Sequence, residues 1–367
     1  MFKDIKSLTE INWIYIFLLL IIFWIGEINL YSAADGSLEP WAFNQLKRFI
    51  FFLPIFFFII MLQPKFIYNI SEIALFLVVL GLIVTLIFGY TGMGAKRWIR
   101  VGGFNFQVSE FAKIALILFL AKYFHKLNSE KTISLIKALI PLIISILLFL
   151  LVAIQPDLGT AVIILFLGLI VIFYAGINLI YPIVTIIILV LSSPFLWTLL
   201  KPYQQNRIKI FLNPDLDPLG KGYHIIQSKI AIGSGGRSGN GFLGGSQSSL
   251  DFLPEKETDF VFAIFSEQFG FTGSMIILLL FLIFFLIPII KSFKLTQAFN
   301  KIILFVLSFK IFFEFLINIS MTIGLIPVVG VALPFMSYGG SSLLSNLIIC
   351  ALLINFMSIN EKKRMFQ

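Results

Sequence analysis

Long apolar runs, many of them the length of one bilayer crossing, alternate along this chain with short polar punctuation. A helix needs about 20 apolar residues to cross the hydrocarbon core. Such runs fall at 11–32, 49–62, 70–90, 108–124, 134–154, 160–175, 181–200, 260–290, 302–324 and 341–359. The pattern predicts an all-α polytopic membrane protein of about ten transmembrane helices, forming one domain over 1–367. The second, fourth and sixth runs are short. The eighth is long enough to tilt or to extend past the membrane. Segment 324–340 is apolar but broken by Pro327, Pro334 and several glycines, so it reads as a re-entrant or surface loop.

Two stretches depart from this pattern. Residues 221–270 turn glycine-rich, serine-rich and charged, then return through Asp259 to an apolar run. A chain this apolar keeps such a stretch where it lies outside the bilayer or faces a wet cavity. It is therefore the expected lining of a site, with Asp259 at the membrane lip. Within it, YHIIQSKIAIGS (223–234) predicts an amphipathic helix with Ile225, Ile226, Ile230 and Ile232 on the membrane surface. GSGGRSGNGFLGGSQSS (233–249) has too much glycine for a helix interior and offers many backbone N–H groups. The second stretch, GAKRWIRVGGFNFQVSEFAK (94–113), holds Lys96, Arg97 and Arg100, then Glu110 and Lys113.

Composition bounds the class. Only 12% of residues are charged, about half the usual quarter for soluble domains. The net charge of +9 does not imply nucleic acid, because the basic residues cluster in short loops between apolar spans. Their distribution follows the positive-inside rule. With the N-terminus inside, the inner segments carry Lys3, Lys6, Lys65, Lys122, Lys126, Lys131, Lys137, Lys291, Lys294, Lys301, Lys362, Lys363 and Arg364. The short outer ones carry Lys47, Arg48, Lys96, Arg97 and Arg100. Both termini are thus expected in the cytoplasm, and the long 200–258 loop outside. No small-residue cleavage site follows the first run, so no removable signal peptide is expected. A single cysteine, Cys350, allows no internal disulfide, and two histidines rule out a histidine-built metal site.

Individual residues carry different weights. Asp259 begins a span, where an acid is favoured by the helix dipole whatever its role. Glu267 lies deeper, and an intramembrane acid faces the bundle interior or a water path. Asp157 sits in the turn QPDLGT, where ordinary turn chemistry accounts for it. Lys96, Arg97 and Arg100 form a basic patch on the disfavoured side, which fits an anionic partner such as phosphate, or lipid headgroups. Glu110 and Lys113 are three apart and meet on one helix face. Lys310, Glu314, Asn318 and Thr322 recur at four-residue spacing and read as a packing stripe.

In order and spacing, GAKRWI…QVSEFAK, QPDLGT, GSGGRSGNGFLGGSQ, FLPEKETDFVFA and GLIPVVGVALPFMSYGGSSLL resemble the SEDS family (shape, elongation, division and sporulation proteins) over nearly the whole chain. The short N-terminus and SLDFLPEKETDF look more like its rod-shape branch than its division branch. The resemblance implies a ten-helix bundle with a large outer loop between helices 7 and 8. It implies a peptidoglycan glycosyltransferase that polymerises lipid II into glycan strands outside the bacterial cytoplasmic membrane. The family's catalytic acid falls on Asp259, its cavity residues fall on Asp157, Glu110 and Lys113, and the Arg that opens its second helix matches Arg48. Three positions depart from the family pattern: Glu257 for a common His, Ser320 for Gly, and Glu267–Gln268 for an acid pair. An acid at 257 raises the Asp259 pKa if the two side chains approach.

The implied reaction needs a base for the attacking sugar hydroxyl, which is Asp259. It needs positive charge for the leaving undecaprenyl pyrophosphate. Arg48, Lys96, Arg97, Arg100 and Lys113 are the candidates, with Glu110 and Glu267 in the binding region. A divalent cation (Mg or Mn) held by Asp157 or Asp259 is compatible but not required. Direct displacement inverts the anomeric carbon. Expected partners are lipid II, the nascent glycan strand, a class B penicillin-binding protein and other elongation-complex membrane proteins. The eighth and ninth spans and segment 324–340 are the candidate contact surfaces. The competing readings are a lipid II flippase and a non-catalytic scaffold.

Overall fold

In a computed structural model, described for residues 10–92, 95–102, 104–127, 133–178, 180–200, 202–217, 220–245, 247 and 252–359, each predicted run folds as helix. The helices are α1 (Trp13–Ala33), α2 (Ala42–Met61), α3 (Pro64–Phe88), α4 (Val108–Lys126), α5 (Leu135–Ala153) and α6 (Leu158–Tyr174). They continue as α7 (Ile180–Leu191), α8 (Ser193–Leu199), α9 (Pro202–Leu212), α10 (Lys221–Ser234), α11 (Val261–Ser292), α12 (Ala298–Thr322) and α13 (Gly340–Met357). Among the described residues, seven helices are long and apolar enough to cross a membrane: α1, α2, α3, α5, α11, α12 and α13. The chain is a helical, polytopic membrane protein.

Deviations from the expected spans have local causes. α2 begins at Ala42, not 49, because its polar first turns bury Gln45 inside the protein. Gln45 Nε2 donates to Ser337 O at 3.0 Å, and Gly339 N donates to Gln45 Oε1 at 3.3 Å. The seventh run is two helices, α7 and α8, divided at Ser192 ahead of Pro194 in the first turn of α8. Three short strands add a small antiparallel sheet that the all-α reading missed: β1 (Tyr90–Gly92), β2 (Ala95–Val101) and β3 (Phe104–Phe106), in that order. Its aromatic and β-branched residues suit a pleated surface.

The helix α10 does form, with Ile225 turned into the protein. It packs on α11, burying Ile225 to 3% exposure, and Ser228 Oγ donates to Thr322 O at 2.8 Å. Ile230 alone of the four isoleucines is strongly exposed.

α11 is not one straight span. It breaks at Gly270, whose φ of 63° and ψ of −162° are non-helical. A break in a membrane helix frees backbone groups that must be paired elsewhere. The glycine-rich segment supplies the partners. Asn240 N donates to Glu267 O and Gly241 N to Gln268 O, both at 3.0 Å. In return Phe271 N donates to Gly236 O at 2.9 Å and Thr272 N to Arg237 O at 3.1 Å. A Cβ on Gly239, at φ 82°, would collide with the Gln268 carbonyl, so only glycine allows the approach. The glycine-rich part of 221–270 is therefore a splint for a broken helix, while the expected site lining comes from His224, Glu255, Thr258, Asp259 and Phe260 of the same stretch.

α12 and α13 are the most enclosed spans and α3 the least. Stacked rings join the layers: Tyr15 on Phe284 at 4.4 Å, Phe23 on Phe49 at 3.9 Å, and Phe281 on Phe315 at 4.4 Å. Segment 324–340 is irregular, as expected. Its Leu333, Phe335 and Met336 are buried within this chain, while Leu325 is exposed.

Candidate active site

The sheet after α3, the first turns of α4, α6, α11 and α13, parts of α9, α10 and α12, and the segment after α12 meet at one end of the bundle. Asp259 sits in the turn that leads into α11. The Glu255 carbonyl, on a residue with φ 55°, accepts from Thr258 N and Asp259 N at 3.1 Å and from Phe260 N at 3.3 Å. Asn318 Nδ2 donates to Asp259 O at 3.0 Å and to Val331 O at 2.8 Å. Ser337 Oγ donates to Thr258 O at 2.6 Å, and Tyr338 N to Glu257 O at 2.8 Å. Beneath, Phe260 packs with Ala33, Ala231, Leu253, Ala263 and Ile264. The backbone is thus pinned on three sides while the carboxylate stays half-buried.

That carboxylate faces a cavity of about 380 Å³. Arg97, Trp98, Gln107, Glu110, Lys113, Arg207, His224, Glu255, Glu314 and Tyr338 are among its lining residues. Gly330 opens the space in front of Asp259: a Cβ there would stand 3.4 Å from Oδ2. Burial pushes the Asp259 pKa up from 3.8 to about 6. Glu255 raises it next, Arg97 and Arg207 oppose, and Glu257 adds a smaller rise. The departure at 257 therefore acts in the expected direction, but Glu255 is the stronger neighbour. Glu257 is itself raised, chiefly by burial. A carboxyl of this kind is largely ionised at neutral pH yet basic enough to accept a proton.

The other predicted residues divide. Arg97, Glu110 and Lys113 line the Asp259 cavity. Lys113 Nζ contacts Glu110 Oε1 at 2.7 Å and Glu314 Oε1 at 2.6 Å. Arg48 lies instead in an adjoining cavity of about 340 Å³, its guanidinium 4.6 Å from the Tyr338 ring centroid. Trp98, Tyr338, Gly339 and Ser341 border both cavities. Lys96 and Arg100 are held locally on the sheet: Lys96 Nζ donates to Ile87 O at 2.7 Å, and Arg100 lies 4.9 Å from the Tyr90 ring centroid. Glu267 lies in the helix break, where its Oε1 accepts from Gln247 N at 2.8 Å. It braces the splint and does not face the cavity, contrary to its expected binding role.

Asp157 caps α6, accepting from Thr160 N at 3.4 Å. Its Oδ2 accepts from Gln107 Nε2 at 2.7 Å, and Arg97 Nη1 stands 3.7 Å from the capping Oδ1. Both oxygens are engaged, so Asp157 fits a cap and an arginine anchor better than a metal ligand. Among the described residues, no group of three or more His, Cys, Asp or Glu is placed to hold a metal ion.

Sequence reasoning missed Arg207, His224, Glu255 and Glu314. Arg207 comes from α9, in a loop whose charges the orientation rule sets aside. Its Nη1 reaches Val328 O at 3.5 Å and its Nε is buried without a hydrogen-bond partner. The four-residue stripe containing Glu314 was visible, but only the fold shows that it ends at a cavity.

Such a bundle, holding an acid and several cations in a polar cavity at one end, defines a polytopic membrane protein with an enzyme-like site between its helix ends. The chain belongs to the family of FtsW, RodA and SpoVE: the model of that family, described as "Cell cycle protein", matches residues 8–363. It is similar to the peptidoglycan glycosyltransferase MrdB of Escherichia coli K12, with 41% identity over 70% of this chain and 69% of that one. It is 36% identical to the peptidoglycan glycosyltransferase RodA of Treponema pallidum, over 78% and 81% of the two chains. A chain in a solved peptidoglycan synthase complex, described as coordinating polymerization and crosslinking, superposes with a TM-score of 0.82. It is 29% identical, and 95% of this chain and 97% of that one are covered.

Proposed function

We propose that this protein is a peptidoglycan glycosyltransferase of the rod-shape branch, elongating glycan strands from lipid II at the outer face of a bacterial cytoplasmic membrane. The single observation that carries the mechanism is the half-buried Asp259 carboxyl, with a pKa of about 6, facing a cavity shared with Arg97, Arg207 and Lys113. The names of the relatives support the reaction class.

In this reading a sugar hydroxyl of lipid II enters within reach of Asp259. Its oxygen attacks the anomeric carbon of the growing strand, and its proton passes to the Asp259 carboxylate. The bond from that carbon to the phosphate oxygen breaks, and the pyrophosphate leaves with the electron pair. Arg97 and Arg207 stabilise the charge that develops there. Back-side attack inverts the centre. No step is routed through a cation.

Both termini lie in the cytoplasm, placing the cavity outside, where the lipid-linked substrates present their headgroups. A class B penicillin-binding protein crosslinks the product, docking on the lipid-facing half of α11 and on α12. Purified protein supplied with lipid II, with and without that partner, tests the reading. Polymer formation that Asp259→Asn abolishes supports it; a folded parent protein that makes no polymer even with its partner refutes it. The flippase and scaffold readings predict that second result.

A further inference from the structure

Behind Lys113 lies a second pair of charges. Glu314 uses both carboxylate oxygens: Oε1 meets Lys113 Nζ at 2.6 Å and Oε2 meets Lys310 Nζ at 2.7 Å. Lys310 also donates to Asn346 Oδ1 at 2.7 Å, and its side chain is fully buried. The chain of contacts runs Glu110, Lys113, Glu314, Lys310, Asn346, from the cavity wall into the bundle. Glu110, Lys113 and Glu314 line the cavity; Lys310 stands behind Glu314.

The charge count gives Lys310 a task. Glu110, Lys113 and Glu314 together carry −1 at the cavity wall, and Lys310 brings the sum to zero. An anionic substrate meeting a net negative wall would be repelled. An ammonium has three N–H donors; the two carboxylates take two of Lys113's, leaving one for a ligand oxygen. Glu314 holds that ammonium in place, and Lys310 offsets the charge that Glu314 introduces.

We propose that Lys310 and Glu314 are positioning residues that present Lys113 to the diphosphate of a lipid-linked substrate with no net negative charge behind it. The packing reading of this stripe holds for Asn318 and Thr322, which join neighbouring segments, and Lys310 and Glu314 gain a task beyond it. The inference rests on the proposed polymerase function, and deepens it.

The test is a charge-balance cycle on the full-length protein in detergent, reading KM for lipid II and kcat separately. Lys310→Met leaves the wall at −1 and should raise KM. For a phosphate about 10 Å away at an effective dielectric of about 20, one unit charge changes binding by roughly tenfold. Glu314→Gln leaves it at +1, so KM should stay level or fall, while kcat drops as Lys113 loosens. The double variant Lys310→Met/Glu314→Gln restores neutrality and should bring KM back toward the parent value. A purely structural role predicts instead that both single changes act in the same direction and that the double is worse. Melting temperatures of all variants are recorded alongside. A folded Lys310→Met protein with the parent KM, or a double variant with a higher KM than Lys310→Met, overturns the proposal. If Lys310→Met does not fold, the comparison of Glu314→Gln with the double variant still decides: KM should be higher in the double. A parent protein without polymerase activity would refute the function and not this inference, which then reads through lipid II affinity measured by direct binding.

Discussion

Replacing Asp259 with asparagine should cost activity and raise stability at once. Asn keeps the size and most hydrogen bonding but cannot accept a proton. Loss of a general base lowers the rate by about a hundredfold or more. The stability sign follows from linkage. A carboxyl whose folded pKa lies above its unfolded value favours the fold while protonated, below about pH 4. That contribution is lost as pH rises through about 6. At pH 7.5 the ionised Asp259 therefore opposes folding. The gap between 3.8 and about 6, at ~1.4 kcal/mol per pH unit, sets an upper bound of about 3 kcal/mol. Water in the cavity screens part of it. Asp259→Asn should thus melt higher than the parent at pH 7.5 and show little advantage at pH 4. The assays are lipid II polymerisation and thermal unfolding in detergent at both pH values. A variant that melts lower than the parent at pH 7.5, or that still polymerises at near the parent rate, refutes this account of the site.

Other changes separate the remaining parts. Arg97→Glu should weaken lipid II binding. It also removes a cation that holds the Asp259 pKa down, so the acid limb of the pH–rate profile should move to higher pH. Gly239→Ala forces a Cβ into the Gln268 carbonyl at a positive φ and should destabilise by about 2–4 kcal/mol, read as a lower melting temperature. Phe242→Cys, at a 47% exposed position, placed in a Cys350→Ser background, should react with an impermeant thiol reagent on intact cells. Labelling only after lysis would reverse the orientation.

The spans were legible because a bilayer demands long apolar runs whatever their partners. The polar ends of helices were not: the first turns of α2 hide Gln45, whose partners Ser337 and Gly339 are nearly 300 residues away in sequence. Asp259 was legible as the last polar residue before a span. Arg207 was not, because nothing local marks α9 as crossing over Val328 toward the cavity. Glu267 misled for a physical reason. A buried acid signals a polar need, but here the need is a helix break that Gln247 and the glycine segment meet.

Two kinds of polar sequence are thus interleaved in residues 221–270, and they do different work. The glycines pair with the backbone on both sides of Gly270 and leave residues 261–269 as a short, buried helix, distinct from the lipid-facing 271–292. Asp259 stands two residues before that short helix. Its position is set by Asn318, Ser337 and Tyr338, which grip the turn's backbone, and by a helix whose lower end is splinted in place. A continuous 32-residue helix would couple Asp259 rigidly to every tilt of the lipid-facing half, where we place the partner. The backbone pairing ties the chain on both sides of the break, and the upper half is joined to α1 where Asn29 Nδ2 donates to Val261 O at 2.8 Å. The glycine-rich stretch therefore serves the chemistry by fixing the element that carries the acid, without lining the cavity that the acid faces.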